Sequence, residues 1–167
     1  MRHLSRFNRP AAITGAIAAL ALLLGSVPSQ AQSRGGFAEY AGAWSGSGRV
    51  VSTDGSEAIR CRAQGQVGPG GESVEQHLVC ASSSYQFNID CRVRESGGQI
   101  SGSWTETTRG ISGSLSGTLR GGRLQAAVGS PIFSATVVIV TRGTTQEVTI
   151  SPHDNDIRQV SVRLRRS

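Results

Sequence analysis

The side chains that could do chemistry in this chain are few: Cys61, Cys80 and Cys91, His77 and His153, a Ser151-Pro152-His153-Asp154 run, and Arg163, Arg165 and Arg166 at the end. Metal sites need ligands clustered at short spacing, and no C-x-x-C pair or histidine cluster accompanies these cysteines, so no metal is expected. Ser151, His153 and Asp154 have the letters of a hydrolytic triad, but neighbours in one turn cannot line up as nucleophile, base and orienting acid. Asp154-Asn155-Asp156 is too short for a calcium loop and reads as a turn. The cysteines keep redox chemistry, and which pair bonds depends on the elements that carry them.

Those elements follow an export leader. Arg2, Arg6 and Arg9 precede an apolar run from Ala11 to Gly25, and Ser29-Gln30-Ala31 supplies small residues for a peptidase, so residues 1–31 read as a cleaved signal peptide. The run is interrupted by Thr14 and Gly15 and is too short to span a bilayer comfortably. The expected location is periplasmic or extracellular, soluble, and oxidising. Residues 32–41 form a lead-in, and residues 42–167 suffice for one domain.

Export also changes the charge. Three of the 17 arginines go with the leader, leaving 14 Arg against 11 Asp and Glu, a net +3 rather than +6. There is no lysine, and the arginines are scattered except at the end. A nucleic-acid binder would need a dense basic stripe interleaved with aromatic residues, so no nucleic-acid partner is expected. Arg163, Arg165 and Arg166 could touch anionic envelope lipid or glycolipid, or could serve only as a solvated strand end.

From Gly42 onward apolar residues recur at every second position between turn-forming residues, which predicts an all-β chain. Ile111, Gly113, Leu115, Gly117 and Leu119 share one face, and Ser112, Ser114, Ser116 and Thr118 the other. A two-residue turn at Gly121-Gly122 sets Leu119 opposite Leu124. In the same way Gly97-Gly98 sets Cys91 opposite Trp104, Gly143-Thr144 sets Ile139 opposite Val148, and Asp54-Gly55 sets Val50 opposite Ile59.

The pattern predicts a single antiparallel up-and-down meander of about 8–10 strands closed as a small soluble barrel, with a β-sandwich as the alternative. Inward glycines at 46, 48, 102, 113 and 117 favour the barrel because they permit tight coiling. An outer face of Ser, Thr and Arg argues against a membrane pore. The strand from Ile132 to Val140 is apolar on both faces, so either Phe37 to Tyr40 folds over it or a partner does, as in a weak dimer through residues 132–140.

A turn near Gly70 sets Cys61 opposite Cys80, whereas a Cys80–Cys91 bond would place Tyr85 and Gln86 in the turn. The expected disulfide is therefore Cys61–Cys80, with Cys91 a buried thiol behind Trp104. The inferred interior holds almost no titratable group beyond Glu106 at a strand end, so no catalytic residue is expected. Its aromatic side chains Trp44, Tyr85, Phe87, Trp104 and Phe133 are the candidates for ligand contact.

The run Gly42-x-Trp44-x-Gly46-x-Gly48 resembles the opening strand of the calycin group, which includes lipocalins and nitrobindin-like barrels. The resemblance covers seven residues and implies a barrel whose mouth or interior accepts an apolar small molecule. It also implies that Trp44 packs at the closed end against an arginine of the last strand, here Arg158 or Arg163. In the nitrobindin case it implies haem, with His153 as the sole candidate ligand; an ordinary turn histidine is the plainer reading. The expected function is that of an exported, non-catalytic barrel that binds a small hydrophobic or amphipathic ligand and has no resident cofactor. An envelope interaction protein with a filled core and a small barrel-type protease inhibitor are the alternatives.

Overall fold

Alternating apolar and polar residues, punctuated by turns, build ten strands in chain order: β1 (Gly42–Ser52), β2 (Gly55–Val67), β3 (Ser73–Ala81), β4 (Gln86–Ser96), β5 (Gln99–Glu106), β6 (Ile111–Arg120), β7 (Arg123–Ser130), β8 (Phe133–Arg142), β9 (Thr145–His153) and β10 (Ile157–Arg166). The computed structural model describes residues 36–153 and 156–167; the leader, residues 32–35 of the lead-in, and Asp154 and Asn155 lie outside the described residues. Each strand pairs antiparallel with the next, and β10 returns to pair with β1, so the sheet is a closed up-and-down barrel.

The turns set the register. Gly97-Gly98 and Gly121-Gly122 adopt the positive φ that such tight hairpins require. Cys91 lies opposite Trp104, Leu119 opposite Leu124, and Ile139 opposite Val148, as the turn positions predict. The first hairpin differs. Thr53-Asp54 forms its turn, so Val50 faces Glu57 and Gly48 faces Ile59. The Asp54 N–H donates to Ser52 Oγ at 3.3 Å, and the register of β1 against β10 shifts by one residue between Val51 and Ser52. A shift of two residues keeps every side chain on its own face.

Closure depends on glycine at the seam between the first and last strands. A Cβ on Gly46 would fall 1.9 Å from the Arg163 carbonyl oxygen, and one on Gly48 would fall 1.9 Å from that of Ser161. Gly113 and Gly117 meet carbonyls of β7 at 2.0 Å in the same way. No other residue lets the backbones approach so closely.

The disulfide joins Cys61 and Cys80, which face each other on β2 and β3 with their Cα atoms 4.1 Å apart. Such a short separation is that of a non-hydrogen-bonded antiparallel pair, where side chains lie closest. Cys91 is free and half-buried.

The segment before β1 closes one end of the barrel. Phe37, which precedes a single 3-10 turn at Ala38–Tyr40, and Tyr40, which ends it, are buried among lumen residues such as Val74, Leu119 and Leu124. The Phe37 N–H donates to the Gly71 carbonyl at 3.1 Å. The segment therefore forms a floor and does not cover the outer face of β8. Two aromatic rings remove more apolar surface from water under an open lumen than on a single outer strand. Val138 and Val140 on that outer face stay half-buried, and Ile132 at the opposite end is 76 % exposed.

Trp44 anchors the floor. Its Nε1 donates to the Tyr40 carbonyl at 3.2 Å, and the Arg166 guanidinium lies 4.7 Å from its ring centroid while donating to the Glu39 carbonyl. Neither Arg158 nor Arg163 fills this role, because register sets Arg166 opposite Trp44. Arg163 points outward to Glu147, and Arg158 lies exposed at the other end of β10.

The seam supplies a direct test. Gly48→Ala should destabilise the barrel by about 2–4 kcal/mol in urea unfolding, since backbone must move to admit the methyl group. Gly129→Ala, with nothing within 4 Å of the added atom, should change stability by less than about 0.5 kcal/mol. Equal effects would show that close approach at β1/β10 does not govern closure.

Candidate functional site: the apolar lumen

Inward side chains line a cavity of about 230 Å³ that runs from Phe37 and Tyr40 at the floor to Phe133, Pro152 and Ile157 near the opposite rim. Its wall is almost wholly aliphatic and aromatic, drawn from β2 to β10. The side-chain amide in that wall is Gln76 of β3, flanked in register by Gly65 and Cys91. Burial pushes the Cys91 thiol up to about 11, and Asp90 adds to the shift, so at neutral pH it is a protonated, weakly nucleophilic thiol.

The five aromatic candidates divide. Phe87, Trp104 and Phe133 line the cavity, with Trp104 and Phe133 edge-to-face at 5.9 Å. Trp104 Nε1 donates to the Ser114 carbonyl at 3.2 Å, which fixes its ring. Tyr85 instead stacks on Phe87 at 6.2 Å near the rim, and Trp44 lies in the floor. Gln76 is a polar lining residue that sequence reasoning missed. Its signal was its phase, two residues before Leu78 and four before Cys80.

Carboxylates at the rim are committed to turns. Burial of Glu106 favours its neutral form, yet N–H donors from Asn88, Arg109 and Thr108 outweigh that and hold the carboxyl at about 2. Arg109 continues the network, lying 3.4 Å from Glu106 and 5.8 Å from the Phe87 ring centroid. Glu57 is also lowered to about 2, by the hydroxyls of Ser82 and Ser83 and the Ser84 N–H, which ties the β3–β4 turn to β2. These acids brace the rim of the lumen.

At the floor, burial raises the Tyr40 phenol to about 12, while the Thr141 hydroxyl beside it pulls the other way. Thr141 and Gln146 face each other on β8 and β9, and both are buried.

Both histidines among the described residues, His77 and His153, lie outside the lumen. His153 ends β9 with its ring between Ser134 and Thr136, each 3.3 Å away, so it faces away from any group held in the lumen. His77 Nδ1 lies 2.5 Å from Asp90 on a polar hollow of about 350 Å³ in the outer wall, beside the Arg92–Glu75 pair. The row across that hollow reads Gln64, His77, Asp90, Thr105, with glutamine where a nucleophile would have to stand. Among the described residues, no three His, Cys, Asp or Glu side chains stand close enough to hold a metal ion.

No protein-family model matches this chain, and no curated protein sequence matches it.

The Glu106 network gives a pH test. A carboxyl depressed in the folded state contributes stability that is fully present above its unfolded value near 4.5 and is lost as pH falls toward 2. Glu106→Gln should lower neutral-pH stability by about 1–2 kcal/mol. Urea midpoints should show the gap to the parent protein closing across that acid window; a gap independent of pH would mean that the carboxylate charge does not hold the turn.

Proposed function

We propose that this barrel carries a small hydrophobic or amphipathic molecule in its lumen and does not transform it. The observation that carries the reading is the 230 Å³ cavity with its nearly continuous apolar wall. Water fits such a space poorly, because a buried water needs two to four polar partners and the wall supplies little beyond Gln76 and Tyr40. An apolar ligand regains dispersion contacts and releases poorly bonded water.

A carrier is favoured over a catalyst because the titratable groups do not converge on the cavity. Glu57 and Glu106 cap turns, His77 and His153 face outward, and Cys91 is protonated. The Gly-x-Trp first strand and the closed ten-strand barrel are compatible with a calycin-like relationship, which is part of this proposal. The disulfide fits an oxidising, exported location. A second reading, as an envelope interaction protein, rests on the exposed Ile132 beside the half-buried outer face of β8.

Native mass spectrometry of the protein after exposure to a lipid extract should show a bound small molecule. Val137→Trp, which fills the lumen from β8, should weaken that ligand at least about tenfold with the circular dichroism unchanged. Failure of both protein forms to take up any apolar molecule, with concentration-dependent self-association abolished by Ile132→Lys, would replace the carrier by the interaction reading.

A further inference from the structure

The register assembles a basic surface that the linear order of the arginines conceals. On the outer wall of β10, β1 and β2, Ser45 is flanked by Arg165 and Arg62, and Ser47 by Arg163 and Arg60. Arg49 stands in the next row beside Ser161. All five arginines are exposed. Neighbouring strands lie about 4.8 Å apart and same-face rows about 7 Å apart, so four guanidinium stems occupy the corners of a grid about 10 Å by 7 Å with serine hydroxyls along its middle.

The grid carries no acid of its own. The outward positions of β10, β1 and β2 hold Arg, Ser, Gln, Ala and Val, and the adjacent outward residues of β3 are Val79 and Ala81. Arg163 pairs with Glu147 of β9, and Arg49 donates to Ser56 Oγ at 3.1 Å. Arg60, Arg62 and Arg165 make no ion pair among the described residues. The carboxylates of the next face are engaged by their own neighbours instead, Glu75 by Arg92 and Asp90 by the His77 ring. Like charges held together without counter-charges oppose folding, so an external anion would relieve them.

We propose that this face docks the protein on an anionic membrane, with Arg60, Arg62 and Arg165 engaging lipid phosphates. Guanidinium forks match phosphate oxygens two at a time, and the charge is wholly arginine. The phosphates of a leaflet are mobile in a plane and can move to meet a two-dimensional grid. A nucleic acid is the poorer occupant. The patch has no aromatic side chain on which a base could stack, and a smooth barrel wall offers no helix or ribbon to enter a groove. Arg166, which belongs to the same basic end of the chain, is spent on Trp44 and does not contribute.

Co-sedimentation of the purified protein with phosphatidylcholine vesicles, with and without phosphatidylglycerol, tests the proposal. Binding should require the anionic lipid and should weaken as salt is raised. R60Q/R62Q/R165Q should lose at least about tenfold in affinity, whereas R120Q/R123Q/R142Q, which removes equal charge from the rim at the closed end, should stay within about twofold. Unchanged thermal unfolding would establish that both variants are folded, since every altered side chain is exposed. Equal losses in the two variants would reduce the effect to net charge and overturn the docking face. So would indifference to anionic vesicles, or binding to a single-stranded oligonucleotide in their place. None of these outcomes depends on whether the lumen holds a ligand.

Discussion

Everything in this barrel depends on how closely β1 can approach β10. The two strands meet only after the chain has passed through eight others, and their pairing turns an open meander into a ring. At Gly46 and Gly48 the backbone of β1 runs so close to β10 that even a methyl group would strike a carbonyl oxygen. Such contact bends the sheet more sharply than side chains on both strands would allow, and it leaves no unpaired edge. A sandwich would have needed two sheets with four edges to protect. One seam of glycine removes that need.

The seam also determines where the floor must sit. Because Trp44 precedes the glycines by two residues on the same face, closure brings it beneath the lumen and opposite Arg166. The Trp44 indole then holds the Tyr40 carbonyl and Arg166 that of Glu39, which ties the C-terminal end of the 3-10 turn to the barrel, while the Phe37 N–H ties the other end to the Gly71 carbonyl. Phe37 is buried completely as a result. The residues of the Gly42-x-Trp44-x-Gly46-x-Gly48 run thus act as one device, a tryptophan that anchors the plug and glycines that pull the wall around it.

The legible part of the fold was whatever local rules decide. Hairpin turns with glycine pairs fixed the registers at Gly97-Gly98 and Gly121-Gly122, and through them the faces of Cys91, Trp104, Leu115 and Leu119. The Cys61–Cys80 bond followed from the same counting. The first hairpin escaped because Thr53-Asp54 and Asp54-Gly55 are both acceptable turns, and the Thr53 N–H bonds to the Asp156 carbonyl, over a hundred residues away, which no local count reveals. Arg166 and the arginine grid escaped for a related reason: lateral neighbours in a closed sheet come from both ends of the chain. Gln76 was readable by phase, yet polarity concealed it among outward residues.

Whether the lumen is hollow could not be read from its glycines, and the structure shows why. The space a side chain would occupy at Gly46, Gly48, Gly102, Gly113 and Gly117 is already taken by backbone of the neighbouring strand. These residues bend the wall; they do not vacate the interior. Room comes from ring size instead, because an eight-strand ring is just filled by its side chains and ten strands enclose a wider one. The bulkiest fully buried residues, Trp44 and Phe37, are gathered at the floor, and above them the wall is mostly valine, isoleucine and leucine. Aliphatic side chains of that length cannot meet across a ten-strand ring, and Trp104 with Phe133 bridges one side of it. The cavity is therefore a consequence of strand number and of where the large residues lie, and it persists as long as the glycine seam holds ten strands closed.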